Sequence, residues 1–199
     1  DPTWVPFCRE LWSSAEQQQN YLPGVPEGSD LCITPVSAPE NHYVRIKADN
    51  RLDADGTLRG TFTLTAEGQS DSNIRRIFTT GFQSEWKSTM ERQLLAISPK
   101  ARLLSVDYGK NPKYYQAAPI KITFRYEIPD YALRGEGEMF FRPMVMNNLY
   151  NQVRSYMWID TSVENRKYGF KDGCSRLVEL DETIQLPAGY KLVSAAKDE

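Results

Sequence analysis

Between residues 42 and 128 the apolar positions change period twice, and that change restricts the chain to a mixed α and β fold. From His42 the period is 2: Val44, Ile46 and Ala48 alternate with Tyr43, Arg45 and Lys47. Asp53-Ala54-Asp55-Gly56 has the composition of a turn. Beyond it Leu58, Gly60, Phe62, Leu64 and Ala66 alternate with Thr57, Arg59, Thr61, Thr63 and Thr65, so the two runs predict a hairpin. The period then becomes 3.6. Ile74, Ile77, Phe78, Phe82, Trp86, Met90, Leu94 and Ile97 form one stripe behind a cap at Asp71 or Ser72. Pro99 ends this helix, and Gly81 is its weak point. Alternation returns at Leu104, Val106 and Tyr108, again over 120–128, and at Leu133, Gly135, Gly137, Met139 and Phe141, where the glycines suggest a bulge or close backbone approach. The expected class is α+β, predominantly antiparallel β, with a β-sandwich-like sheet packed by one long amphipathic helix.

The 199 residues suffice for one large domain or two small ones. Residues 1–41 hold six of the twelve prolines (Pro2, Pro6, Pro23, Pro26, Pro35 and Pro39) and read as a linker or strap from an upstream domain, with room for a short helix at Glu10–Asn20. Trp4, Phe7, Leu11 and Trp12 are its candidate docking surface. Residues 42–146 form the α+β unit. Residues 147–199 form a further β segment in which Val178, Leu180, Ile184 and Leu186 alternate, either a last strand of the same sheet or, preferred, the start of a second β domain. The opening Asp1-Pro2-Thr3-Trp4-Val5-Pro6-Phe7 and the abrupt end both suggest an excised or processed piece.

Composition narrows the function classes. Lys and Arg total 24 against 26 acids, a net charge of −2 that argues against polyanion binding, nucleic acid included, as the main activity. No run approaches the roughly 18 apolar residues of a membrane span. Cys8, Cys32 and Cys174 lack metal-ligand spacing; Cys8 and Cys32 could pair, but an odd total favours unpaired thiols. Asp53-x-Asp55-Gly56 begins like a calcium loop, yet Leu58, Arg59 and Gly60 occupy coordinating positions. Nothing has the pattern of a phosphate loop or dinucleotide fingerprint, and no metal or cofactor is expected.

His42 is the single histidine, and with Cys8 and Asp1 it supplies the residue types of a nucleophilic triad. Any chain with three cysteines and many acids offers such a trio, and the plainer reading is a strand-edge or surface histidine. Glu136 and Glu138 read as a solvated pair rather than a glycosidase dyad. Tyr43, Tyr114, Tyr115 and Tyr131 are the candidates for stacking on a glycan or peptide.

Asp1-Pro2-Thr3-Trp4 resembles the end of the catalytic signature of bacterial transglutaminase-like proteins with a papain-type fold. In that family a Cys and a His precede the Asp, so the resemblance carries over Asp1 as a catalytic residue only with an upstream domain attached, and Cys8 and His42 fall on the wrong side of it. Leu22-Pro23-Gly24 with Thr34-Pro35, Asp55-Gly56-Thr57-Leu58-Arg59-Gly60, Gly68 ahead of Arg75-Arg76, and Leu186-Pro187-Ala188-Gly189-Tyr190 resemble the module that follows the catalytic domain in such cell-envelope proteins. The resemblance implies a noncatalytic accessory domain of the periplasm or cell surface that packs on a Cys–His–Asp domain of the same polypeptide. An envelope glycan- or peptide-binding β module is the alternative.

Overall fold

The computed structural model describes residues 17–114, 118–145, 165–169 and 175–195. Its centre is a five-stranded sheet of β3 (Tyr43–Leu52), β4 (Leu58–Ala66), β5 (Arg102–Asp107), β6 (Ile120–Ile128) and β9 (Leu177–Gln185), in the order β5-β6-β4-β3-β9. Two small ribbons flank it, β1 (Asn20–Tyr21) with β2 (Cys32–Ile33) and β7 (Leu133–Arg134) with β8 (Met139–Phe140). The class is therefore α+β and mostly antiparallel, as the alternation requires.

Register explains the core. Val44, Ile46, Ala48 and Leu52 lie opposite Ala66, Leu64, Phe62 and Leu58 on β4, and these oppose Ile120, Ile122, Phe124 and Ile128 on β6. Because side chains alternate across a strand, the whole apolar set falls on one face. Phe62 stacks on Phe124 with ring centroids 4.3 Å apart.

Among the described residues, two helices cover this face. The expected single helix divides into α1 (Gly68–Thr80) and α2 (Trp86–Leu95), joined by an extended Gly81 and Phe82 and a 3-10 turn over Gln83–Glu85. Thr79 and Thr80 weaken the last turn of α1 by turning their hydroxyls onto the Arg76 carbonyl. Gly81 then favours leaving the helical conformation. The break lets α1 pack over β3, β4 and β6 while α2 packs over β5. Ile74, Phe78, Trp86, Met90 and Leu94 stay buried, whereas Phe82 is exposed. The helix also starts earlier than Asp71 or Ser72, with Glu67 as N-cap. Phe78 and Trp86 meet edge-to-face at 5.2 Å, and Tyr108 packs on both, so an aromatic cluster closes the helix break over the end of β5.

Three strand readings change. A register shift between Leu103 and Ser105 leaves Leu104 exposed and puts Leu103 and Val106 in the core. Gly135 and Gly137 belong to the turn between β7 and β8, where Gly137 has a φ of +80°, rather than to a bulged strand. β9 lies parallel to β3 along Tyr43–Arg51, so Val178, Leu180 and Ile184 extend the first sheet instead of opening another. Within residues 1–41, the described part forms the β1–β2 ribbon, tied by Gln19 N–H to Thr34 Oγ1 (2.8 Å) and Ser37 N–H to Gln17 Oε1 (3.1 Å).

One polar row interrupts the apolar face. Asn50, Gly60 and Tyr126 are cross-strand neighbours. A Cβ on Gly60 would overlap Asn50 Oδ1 and come within 2.9 Å of Asn50 Cα, so the missing side chain leaves the space through which Tyr126 OH donates to Asn50 Oδ1. Asn50 Nδ2 then donates to Glu182 Oε1 on β9 (2.7 Å), and the Glu182 carboxylate accepts the backbone N–H groups of Met144 (3.2 Å) and Val145 (2.8 Å). Gly60→Ala is expected to lower stability in urea denaturation by about 1–3 kcal/mol through overpacking. Gly135→Ala, at a position with open space around it, is expected to stay within about 0.5 kcal/mol of the parent.

Candidate functional site

His42 immediately precedes β3 and has no exposed surface (0%), so it is neither a surface nor an accessible strand-edge side chain. Its Nδ1 accepts the N–H of Gln69 at 3.0 Å, and its carbonyl accepts the Ser70 hydroxyl at 3.1 Å. Both donors lie in the first turn of α1, where backbone N–H groups lack helical partners. His42 thus caps the helix that its own strand packs beneath. Gly68 permits this approach: it has a φ of +59°, and a Cβ there would overlap His42 Nδ1 and the Asn41 carbonyl. An Nδ1 that accepts a hydrogen bond carries a lone pair, so the ring is neutral with its proton on Nε2.

Burial, and after it the positive charge of Arg176, hold the His42 pKa below its ordinary value of about 6.5. The residue keeps α1 seated on β3, and taking a proton at Nδ1 would break that cap. Cys8 and Asp1, the other members of the sequence trio, lie outside the described residues, as do Trp4, Phe7, Leu11, Trp12 and Tyr115. Cys32 is a free, half-buried thiol.

Asp53 and Asp55 also have structural partners. Asp53 binds Arg51 at 2.9 Å and pairs with Arg59, while Asp55 Oδ1 accepts the Thr57 N–H at 2.9 Å and closes the β3–β4 turn. That hydrogen bond holds the Asp55 pKa below the usual carboxylate value. Gly56, with a φ of +81°, offers its carbonyl to Tyr131 N–H (2.8 Å) and Ala132 N–H (3.0 Å). Glu136 and Glu138 are exposed beside the β7–β8 turn. Among the described residues no group of three or more His, Cys, Asp or Glu side chains could hold a metal ion, and no helix is long and apolar enough to cross a membrane.

Of the candidate tyrosines, the described Tyr43, Tyr114 and Tyr131 do not form one platform. Tyr43 starts β3, at the sheet end defined by Val44, Ala66 and Ile120, with the Arg45 guanidinium 4.1 Å from its ring centroid. Tyr114 belongs to the β5–β6 loop that leads to Ile120. Tyr131 lies at the opposite end, beside Gly56, with its hydroxyl on the Arg142 carbonyl (2.6 Å).

Two buried constellations escape a sequence reading. One is the Asn50–Tyr126–Glu182 row. The other is Arg75, bound bidentately by Asp71 one turn earlier at 2.6 and 3.0 Å. Arg75 also donates to the carbonyls of Pro112 (3.0 Å), Tyr114 (3.0 Å) and Ala118 (3.2 Å), and Asp71 Oδ1 accepts the Ile120 N–H at 2.7 Å. This pair clamps the β5–β6 loop to α1. The i,i+4 spacing of Asp71 and Arg75 is visible in the sequence, but the same spacing is common on solvated helix faces.

No protein-family model, curated protein or solved structure matches the chain. The fold and site together define a compact α+β module whose buried polar residues act as architectural pins.

Two outcomes are expected. A histidine held neutral in the fold but free to protonate when unfolded withdraws stability as pH falls: the loss begins below about pH 6.5 and continues down to the folded-state pKa. His42→Asn, which retains an acceptor without titrating, is expected to flatten that part of the pH dependence in urea titrations run between pH 7 and 4.5. Arg75→Leu strands the buried Asp71 carboxylate and is expected to cost about 3–5 kcal/mol, with faster amide hydrogen exchange at Ile120.

Proposed function

We propose that the chain is a noncatalytic accessory domain of a transglutaminase-like cell-envelope protein, packing on and positioning an upstream Cys–His–Asp domain of the same polypeptide in the periplasm or at the cell surface. In this reading Asp1 belongs to the upstream site, and Trp4, Phe7, Leu11 and Trp12 form part of the docking strap. The β1–β2 ribbon is the observation that carries it. Leu31 and Ile33 expose 66% and 67% of their surface, and Tyr21, Leu22, Val25 and Val36 are exposed in the same segment. A two-stranded ribbon this short cannot bury such residues against itself, and a concentration of exposed aliphatic side chains favours a partner surface. The engagement of His42 with α1 supports the noncatalytic role, because its Nδ1 lone pair is already held by a backbone amide.

The test is to express the region preceding Asp1 in the native gene product as a separate protein and titrate it with the 199-residue chain by calorimetry. A complex is expected, weakened about tenfold by Leu31→Ser with Ile33→Ser, which corresponds to roughly 1.4 kcal/mol of lost apolar burial. Trp4→Ala is expected to weaken it in the same direction. A native product with no Cys–His domain before Asp1, or a complex indifferent to these substitutions, overturns the reading.

A further inference from the structure

The two edges of the five-stranded sheet differ. β5 is interrupted by the register shift between Leu103 and Ser105, a device that discourages further pairing. β9 keeps register with residues 43–51 of β3 along all 9 of its residues, without a shift and without a proline. An edge strand presents a row of N–H and C=O groups on its outer side, and among the described residues no backbone group bonds to that side of β9. α1 lies over β3, β4 and β6, and α2 over β5, so Val178, Leu180 and Ile184 on the core face of β9 stay only half-buried.

A second unmatched element follows directly. Tyr190, Leu192 and Val193 expose 39%, 65% and 85% of their surface. Tyr190 and Leu192 alternate with Lys191 and Val193, the composition and period of a strand. Residues 191–195 nevertheless form no hydrogen bond with any described residue. The turn at 187–190 explains why they do not fold back on their own β9. Tyr190 N–H bonds the Pro187 carbonyl at 3.1 Å, Gly189 has a φ of +82°, and Ala188 is not at positive φ, which makes a type II turn. Type II turns splay the flanking strands, unlike the I′ and II′ turns of tight hairpins.

We propose that residues 190–194 of a second copy occupy the outer edge of β9 as a sixth strand, in a reciprocal exchange that joins two copies about a two-fold axis. The chain itself carries both halves of the contact, an edge that lacks a strand and a strand that lacks an edge. A short hinge that holds the segment off its own sheet favours exchange between copies. Main-chain pairing supplies the attachment, and alternate side chains supply the fit: Tyr190 and Leu192 cover Val178, Leu180 and Ile184. Charge plays no part in the choice, since Glu179 pairs with Arg45 and Asp181 lies opposite Lys47. Each copy gives one strand and receives one, so the contact closes on itself. The site is on different elements from the β1–β2 ribbon and stands independently of the docking reading.

The test is sedimentation of the full 199-residue chain over a concentration series in reducing buffer, with hydrogen exchange read at the β9 amides that face away from β3. A reversible dimer is expected, and protection of those amides rises as it forms. Leu192→Ser, at an exposed position, is expected to raise the dimer dissociation constant about tenfold or more, because the loss falls on both reciprocal contacts. Leu192→Ile is expected to preserve the dimer, and Leu31→Ser/Ile33→Ser on the β1–β2 ribbon to leave it unchanged. Three results would overturn the proposal. One is a chain that stays monomeric throughout; another is a dimer indifferent to Leu192→Ser or dependent on Leu31 and Ile33. The third is protection of the outer β9 amides that does not vary with concentration, as closure within one chain gives.

Discussion

The fold depends on β3 being paired along its whole length on both sides, antiparallel to β4 and parallel to β9. An antiparallel partner can arrive by a short turn, and Asp53-Ala54-Asp55-Gly56 supplies it. A parallel partner has to return by a long connection, so its register needs something beyond the turn. Asn50 and Glu182 provide that fixing point. The Glu182 carboxylate takes one hydrogen bond from Asn50 and two from the backbone of 144–145, which ties β9 both to the sheet and to the segment leading away from β8. A one-residue slip of β9 would turn Glu182 to solvent and leave Asn50 Nδ2 without its acceptor, while putting Val178, Leu180 and Ile184 on the open face.

Near the other end of β3, His42 does for the helix layer what Asn50 does for the sheet. The strand, the helix that follows the hairpin, and the β5–β6 loop are joined in sequence by His42 on Gln69 and Ser70, and by Asp71 and Arg75 on the loop backbone. These contacts all lie within the first two turns of α1. Neutral and charge-assisted hydrogen bonds of this kind add modestly to stability when complete and cost much more when half removed. They therefore fix one arrangement of strand, helix and loop among those that apolar packing alone would tolerate. The same arrangement leaves the apolar β1–β2 ribbon without a partner inside the described fold, and the proposed function rests on it.

The hairpin and the last central strand were legible because period 2 with charged or threonine alternates has few other solutions. The helical segment was legible in its buried residues but not in its continuity: Gly81 signalled a weak point, and only packing decided that a break there serves both β5 and β3. Leu104 misled because a bulge changes parity without changing composition. β9 was readable as a strand, yet its place beside β3 is a long-range fact that local pattern does not contain. For the site, His42 stood out as the single histidine, but its role depends on a helix N-terminus that folding brings to it. Asn50 and Glu182 sat at apolar parities in otherwise regular strands, a signal that could have marked them as buried and paired.

The one imidazole is a structural pin, and because the chain has a single histidine its nitrogen resonances can be assigned without ambiguity. A pH titration of His42 followed by ¹⁵N NMR on the native chain measures tautomer and pKa together. A structural pin of this kind requires a neutral ring with the proton on Nε2, Nδ1 shifted as a hydrogen-bond acceptor, and a midpoint below about 6.5. A proton on Nδ1, or a midpoint at or above the ordinary histidine value, would contradict it and return His42 to the list of available bases.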